Sequence, residues 1–390
     1  MDQPHYELLK AKMSKKRAWR EEFKKSLVRS TDVKLFSTLT HKPNGDCSFL
    51  AEDRLCSLQT RFGEEALPDT CHQYPRLLGD YAGAREAWGA LSCPEMARQC
   101  LLAEDGMAIA EAPAEAFVRE NWQRALKTPT SDYQRYRDAV RGIGLELLSL
   151  RAYPISTRLF LLAYLGKRTE SFFHRSAAAV SAEQLRGELD RLRDPKVIAS
   201  LHEGFEKLEV PRRVAATVVV SLLRARLNLH LGPLIAKVLH SFVAEGVVHD
   251  DGHGVLTAEP EPLWEKCGVR RRAWEGEFRA RSDLYFENHA KSFWLQEWHT
   301  SYPNLLAQAF DLLVRSAAAR FLLFGHPDLL AAAGAERPEK ERVLDATVVE
   351  VITHLTRAIE HDSGFVRGMH AAFAERQMQD FAHAAILARA

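Results

Sequence analysis

The chain has 390 residues, 46% of them apolar and 27% charged, with a formal net charge of +1. That composition excludes a disordered chain, and the near-neutral balance leaves no global basic field for nucleic acid. The longest apolar run, Val214 to Leu223, is interrupted by Thr217 and Ser221 and is too short to span a bilayer, so no membrane partner is expected.

The opening Met-Asp-Gln-Pro-His, followed by lysines, has neither an apolar core nor a cleavage pattern, so the expected location is cytoplasmic. In a reducing compartment, clustered cysteines read as metal ligands or redox groups rather than disulfides. Residues 1 to 40 read as one or two helices, with Tyr6, Leu9 and Met13 on one face and Phe23, Leu27 and Val28 continuing the apolar stripe. Lysines and arginines from Lys10 to Arg29 make this segment basic. It is a solvated helix face, or else a docking surface for an acidic partner.

Residues 41 to 100 are punctuated by Pro and Gly, which is how a small metal-organised module reads. Ala84 to Trp88 and Pro94 to Leu102 look like short helices, with Pro94 at a first helical position directly after Cys93. Residues 105 to 116 form an Ala-, Glu- and Pro-rich linker. From about 117 the chain reads as helix after helix. Ser131 with Gln134 and Ser181 with Gln184 are capping-box patterns. Pro211 opens a strong helix, and a second follows from Leu234 to Val243. Residues 246 to 262 form a polar loop, and further helices run at about 270–295, 304–324, 336–360 and 364–388. No alternating strand pattern of useful length and no fixed-period repeat is visible.

Five of the six cysteines lie between Cys47 and Cys100, spaced Cys47-x8-Cys56-x14-Cys71-x21-Cys93-x6-Cys100. No CxxC pair is present, which excludes zinc-ribbon and thioredoxin patterns. Four thiolates from separate loops suit one iron–sulfur cluster or one zinc. The plainer reading is unrelated buried cysteines packing as small hydrophobes. Cys93 precedes a helix, whose N-terminus favours a thiolate. Arg76 and Arg98 suit neutralisation of an anionic cluster or bidentate binding of a carboxylate. Tyr74 suits a hydrogen bond to substrate or to a cluster sulfur, or plain packing around the site.

Three runs carry a resemblance. They are Cys47-x-Phe49-Leu50-x-Glu52-Asp53-x-Leu55-Cys56, then Phe62-Gly63-Glu64-x-x-Leu67-Pro68-x-Thr70-Cys71-x-x-Tyr74-Pro75-Arg76, then Leu91-Ser92-Cys93-Pro94-Glu95-x-Ala97-Arg98. Together they resemble the flagellin lysine-N-methylase family. Fainter likenesses are Phe286-Glu287-Asn288-His289, similar to the family's Glu-Asn-Tyr helix, and Thr356 to His361, similar to its Ser-Arg-x-Ile-Glu-His. The resemblance implies a bacterial cytoplasmic enzyme that methylates flagellin lysines, with S-adenosylmethionine as donor and a cysteine-ligated iron–sulfur cluster. It carries Cys47, Cys56, Cys71 and Cys93 over as metal ligands and Arg76 as the arginine of Tyr-Pro-Arg; Cys100 falls outside the pattern. The family also has a cysteine-rich stretch upstream of the region matching residues 1 to 40, which this sequence does not contain. The four matching cysteines suffice for one complete site.

No glycine-rich turn follows a strand, so a Rossmann-type donor pocket is not expected. His249, Asp250, Asp251 and His253 lack calcium-loop spacing and read as an exposed turn. Tyr74, Glu287 and His361 are weak catalytic candidates. A lysine must lose its proton before attacking a sulfonium, and a carboxylate or imidazole can take it. For Glu287 and His361 helix–helix hydrogen bonding is the plainer role, and for Trp294 and Trp298 it is core packing rather than an aromatic cage. The expected fold is mainly α. A Cys-rich module within residues 1–116 packs on a larger helical domain, 117–390, with any substrate groove between them. The alternative function is a non-enzymatic helical binding protein, or a degenerate methylase, whose zinc or iron–sulfur site is structural.

Overall fold

The computed structural model describes residues 1–31, 35–81, 84–113, 124–126, 136–170, 182–225, 231–296, 302, 304–359 and 363–390. The fold is mainly α with a few short strands. It divides into two compact units, residues 1–90 with 111–127, and residues 91–110 with 128–390.

The first unit begins with α1 (Gln3–Met13), whose N-cap Asp2 accepts the His5 amide at 2.9 Å, satisfying one otherwise unpaired donor of the first turn. Leu9 and Met13, four apart on one face, are fully buried. They meet Phe23 of α2 (Arg17–Ser26) and Leu27, Phe49, Leu58, Ala66 and Leu67 in a small apolar core. Of the basic residues here, Lys10 and Lys24 are exposed and pair with Glu7 and Glu21 one turn away. A short antiparallel pair, β1 (Leu27–Arg29) and β2 (Ser37–Leu39), follows. Beyond α3 (Ser57–Phe62) and α4 (Asp69–Gln73), strand β3 (Arg76–Tyr81) pairs antiparallel with β4 (Ala84–Gly89) and parallel with β5 (Arg124–Leu126).

This sheet corrects two expectations from sequence: that no useful strands are present, and that Ala84 to Trp88 is helical. The residues Ala-Arg-Glu-Ala are good helix formers, but helix propensity is worth only tenths of a kcal/mol per residue. Here it yields to a ladder that sets Trp88 opposite Leu77 and Ala87 opposite Leu78.

The second unit begins with α5 (Pro94–Leu102), which starts at Pro94 as the sequence indicates. Residues 104–113 run without regular structure, and 114–116 of the expected linker lie outside the described residues. Helices α6 (Arg137–Leu148), α7 (Ile155–Thr169), α8 (Ala182–Arg191), α9 (Pro195–Glu206), α10 (Arg212–Arg224) and α11 (Gly232–His240) follow. The Ser131–Gln134 pattern and Ser181 fall outside the described residues. The expected polar loop is a hairpin, β6 (Val248–Asp250) with β7 (Leu256–Ala258). The Asp251 carboxylate accepts the His253 and Val255 amides at 2.8 and 3.0 Å, the geometry of an exposed Asx turn.

Then come α12 (Pro260–Gln296), kinked at Phe278, α13 (Leu305–Phe324), α14 (Pro327–Ala331), α15 (Arg337–Ile359), α16 (Ser363–Glu375) and α17 (Phe381–Arg389). Every residue of α13 is buried. It is mostly apolar on every face, the mark of a helix enclosed by others, and α7, α10, α11, α12, α15 and α17 pack against it. Trp294 is fully buried and donates to the Arg141 carbonyl at 3.2 Å, so it belongs to the core; Trp298 lies outside the described residues. A Cβ on Gly144 would fall 2.1 Å from the Trp294 ring nitrogen. That glycine therefore makes room for an indole and does not cradle a cofactor. Among the described residues, no helix is long and apolar enough to cross a membrane.

Candidate metal centre

Two successive closed loops position Cys47 and Cys56. Lys42 and Asp46 hydrogen-bond around a turn at Asn44-Gly45, which closes a bridge between His41 and Cys47. A second turn runs from the Cys47 carbonyl to the Leu50 amide at 2.9 Å, and Leu50 bridges back to Cys56. Between them Phe49, 1% exposed, anchors both loops in the small core, against which Cys47 and Cys56 also pack. Cys56 is then the N-cap of α3, whose end is set by Gly63 at φ +78. A side chain there would be strained, which gives the Phe-Gly-Glu motif a backbone reason. The chain turns again and α4 presents Cys71.

Cys71 is exposed at its tip, yet the protein packed around it pushes the thiol up to about 11; Cys47 and then Cys56 add to the rise, while the N-terminal ammonium opposes it. All three first-unit cysteines are free thiols, and Cys47 and Cys56 lie close enough to Cys71 to act on its thiol. Burial lifts a thiol as close-set thiolates do, because both disfavour the anion. A cation in their midst reverses that balance and makes the thiolates favourable ligands. The donor set therefore fits a metal group.

Zinc–sulfur bonds of about 2.3 Å place tetrahedral thiolates roughly 3.8 Å apart. Among the described residues, the trios of candidate ligand atoms within 4.8 Å of one another are Asp2, His5 and Asp69, and His326, Asp328 and Glu350. Among the described residues the cysteine sulfurs form no trio this compact.

The other predicted residues divide sharply. Cys93 belongs to the second unit, as the N-cap of α5, where its carbonyl accepts the Ala97 amide at 2.8 Å. Tyr74 precedes a cis proline and is 43% exposed. The Arg76 guanidinium donates to the His72 carbonyl at 3.2 Å and lies 3.9 Å from Glu64. Arg98, in the second unit, is engaged by the Glu95 carboxylate through two hydrogen bonds of 2.8 and 2.7 Å on an exposed helix face. Glu287 is 1% exposed and receives Arg151, Lys291 and Arg158. Burial pushes its carboxylate up, but hydrogen bonds from these three cations outweigh burial and hold it below the usual range. Its carboxylate thus joins three cations from α7, α12 and the turn at Arg151. His361 lies outside the described residues.

Sequence reading passed over a set of charged residues buried in the second unit. Asp311, Arg315 and Arg320 interrupt the apolar run of α13. Asp311 accepts Tyr302 at 2.8 Å and Arg315 at 2.9 and 3.0 Å. Charges in a helix that is otherwise mostly apolar were the available signal.

A helical protein with a small cysteine-bearing module is the class that fold and site define. The family model described as FliB lysine N-methylase C-terminal domain matches residues 141–387, and the chain belongs to that family. It is 34% identical over 97 residues to the flagellar biosynthetic protein FliU of Salmonella muenchen, across 24% of this chain and 54% of FliU. It is 38% identical over 80 residues to the lysine-N-methylases of Salmonella typhimurium and Salmonella choleraesuis, across 20% of this chain and 19% of each. The aligned segments thus span about half of the first relative and about a fifth of the others. No solved structure matches.

Proposed function

We propose that this protein transfers methyl groups from S-adenosylmethionine to lysine side chains of flagellin, and that Cys47, Cys56 and Cys71 are ligands of an iron–sulfur cluster. Membership in the lysine N-methylase family over residues 141–387 carries the methylase reading. The influence of Cys47 and Cys56 on the Cys71 thiol supports a shared metal group, and the family resemblance supports an iron–sulfur cluster as that group. In the transfer, the lysine nitrogen lone pair attacks the sulfonium methyl carbon. The new N–C bond forms as the C–S bond breaks, and S-adenosylhomocysteine leaves. The amine proton is lost to a base before attack, and Glu287 is unsuited to that role because three cations hold its carboxylate.

The test is anaerobic purification with iron, labile sulfide and zinc analysis, followed by incubation with flagellin and the donor and mass spectrometry of flagellin lysines. Iron with sulfide and added methyl groups is the expected result. Zinc alone, with unmodified flagellin, would replace this reading with a structural site in a binding protein. A Cys93→Ala variant tested alongside decides whether the fourth cysteine of the motif is a ligand.

A further inference from the structure

Helix α13 is built from apolar residues, yet Arg320 stands in its last turns and is only 5% exposed. Helix α12 carries the run Arg270-Arg271-Arg272. Both Arg271 and Arg320 line a cavity of about 460 Å³ in the second unit, within the range of small-ligand sites. One nitrogen of each guanidinium donates to the main-chain oxygen of Ala390, the last residue of the sequence. The Nε atoms of both are buried and have no hydrogen-bond partner among the described residues. The Glu275 carboxylate lies 3.8 Å from the Arg271 Nε, beyond hydrogen-bond reach. Burial pushes Arg320 down to about 10, with Arg271 and Arg158 adding to the effect and Glu275 and Asp283 opposing it. Arg320 is a buried cation with an unmet donor, and Arg271, 22% exposed and ion-paired with Glu275, shares its contact with Ala390; such a pair suits an anion.

The rest of the lining mixes charged groups of both signs, Lys207, Arg272, Arg389, Glu206 and Glu265, with aromatic and apolar surface. Trp264 is backed by Phe321, the rings parallel within 2° at 5.8 Å, so the indole is held as a flat wall. Leu208 adds apolar surface and Glu209 a carboxylate. The cavity thus joins the Arg271–Arg320 pair, a planar aromatic wall and carboxylates, Glu209 among them, alongside further cations. A nucleoside that carries an amino-acid chain presents the complementary parts: a carboxylate, a flat base, and ribose hydroxyls that a carboxylate side chain can accept from.

We propose that this cavity is the S-adenosylmethionine site, with the donor's carboxylate on Arg271 and Arg320 and its adenine against Trp264. The assignment rests on the methyl-donor part of the function proposed above.

Calorimetry or equilibrium dialysis on the anaerobically purified full chain tests it, with S-adenosylmethionine and adenosine as probes. Circular dichroism and melting curves confirm that each variant is folded. Arg271→Gln should weaken S-adenosylmethionine roughly tenfold to a hundredfold, the range for a lost charged hydrogen bond, and leave adenosine nearly unchanged. Arg271→Lys should recover part of the loss, and Trp264→Ala should weaken both ligands. If the folded Arg271→Gln and Trp264→Ala proteins bind the donor like the parent, the site lies elsewhere while the donor reading stands. Equal loss of both ligands in Arg271→Gln removes the carboxylate contact and overturns the assignment. A parent chain that binds neither ligand at about 1 mM overturns this assignment and the donor reading together.

Discussion

Every residue of α13 in the second unit is buried. In the first unit, the segment from Cys47 to Gln73 buries few apolar side chains, Phe49, Leu58, Ala66, Leu67 and Pro68. The helix is ordered by enclosure, since each apolar side chain removed from water contributes on the order of 1.5–3 kcal/mol. The cysteine segment is ordered by short hydrogen-bonded loops, whose net contributions are about 1 kcal/mol each. A region of the second kind leaves its last increment of order to a ligand, because metal binding and folding are then coupled. The two units should therefore respond to different perturbations.

The largest effect is expected in α13. Asp311→Ala removes the carboxylate that pairs with Arg315 inside the core, where Arg315 is 4% exposed. Leaving a buried charge without its counterion costs roughly 3–5 kcal/mol. Melting of the second unit should drop sharply while the iron content of the protein stays at the parent level. An unshifted melting curve would mean that the helix does not depend on this pair.

A pH dependence comes next. His289 is buried, and burial, with Arg315 adding, pushes its imidazole from 6.5 down to about 4. Between those values the unfolded chain binds a proton that the folded chain refuses. Stability is therefore complete above pH 6.5 and declines as pH falls toward 4, by up to about 3 kcal/mol. His289→Gln should flatten that part of the profile. An unchanged slope between pH 7 and 4.5 would assign the loss to other groups.

The sequence revealed these two behaviours unevenly. Helices of the second unit were legible because their period and their caps agree. Pro94 and Pro211 mark starts, and the helix expected at 304–324 stands at Leu305–Phe324, while the one expected at 270–295 begins at Pro260, inside the expected polar loop. The three-stranded sheet was not legible, because Ala84 to Trp88 has helical composition and becomes a strand only by pairing with Arg76–Tyr81. Spacing brought the cysteines to notice, but whether thiols separated by eight and fourteen residues meet depends on turns. Gly63 at φ +78 and the Leu50–Cys56 bridge supply that answer only in three dimensions. The three cations around Glu287 come from positions far apart in the chain or a helical turn away, so a one-dimensional string cannot display them.

The third prediction isolates the cysteine segment. Cys71→Ala should lose most of the bound iron and sulfide, and loosen the first unit toward protease. The upper melting transition, carried by the second unit's core, should remain. Full iron content in this variant would remove Cys71 from the ligand set and leave its setting among Cys47 and Cys56 without a metal role.

The smallest effect separates motif from site. Arg98 belongs to the same sequence run as Cys93, so the motif alone gives the two equal weight. In the structure its guanidinium is engaged by Glu95 one turn away on an exposed face, and exposed ion pairs of this kind are screened by solvent and contribute little. Arg98→Ala should therefore leave iron content, melting and donor binding at parent values. A loss of iron in this variant would mean that Arg98 exchanges Glu95 for the cluster once the metal is bound. The Glu95 pair would then be a resting contact, and Glu95→Gln, by releasing the arginine, should raise iron retention above the parent.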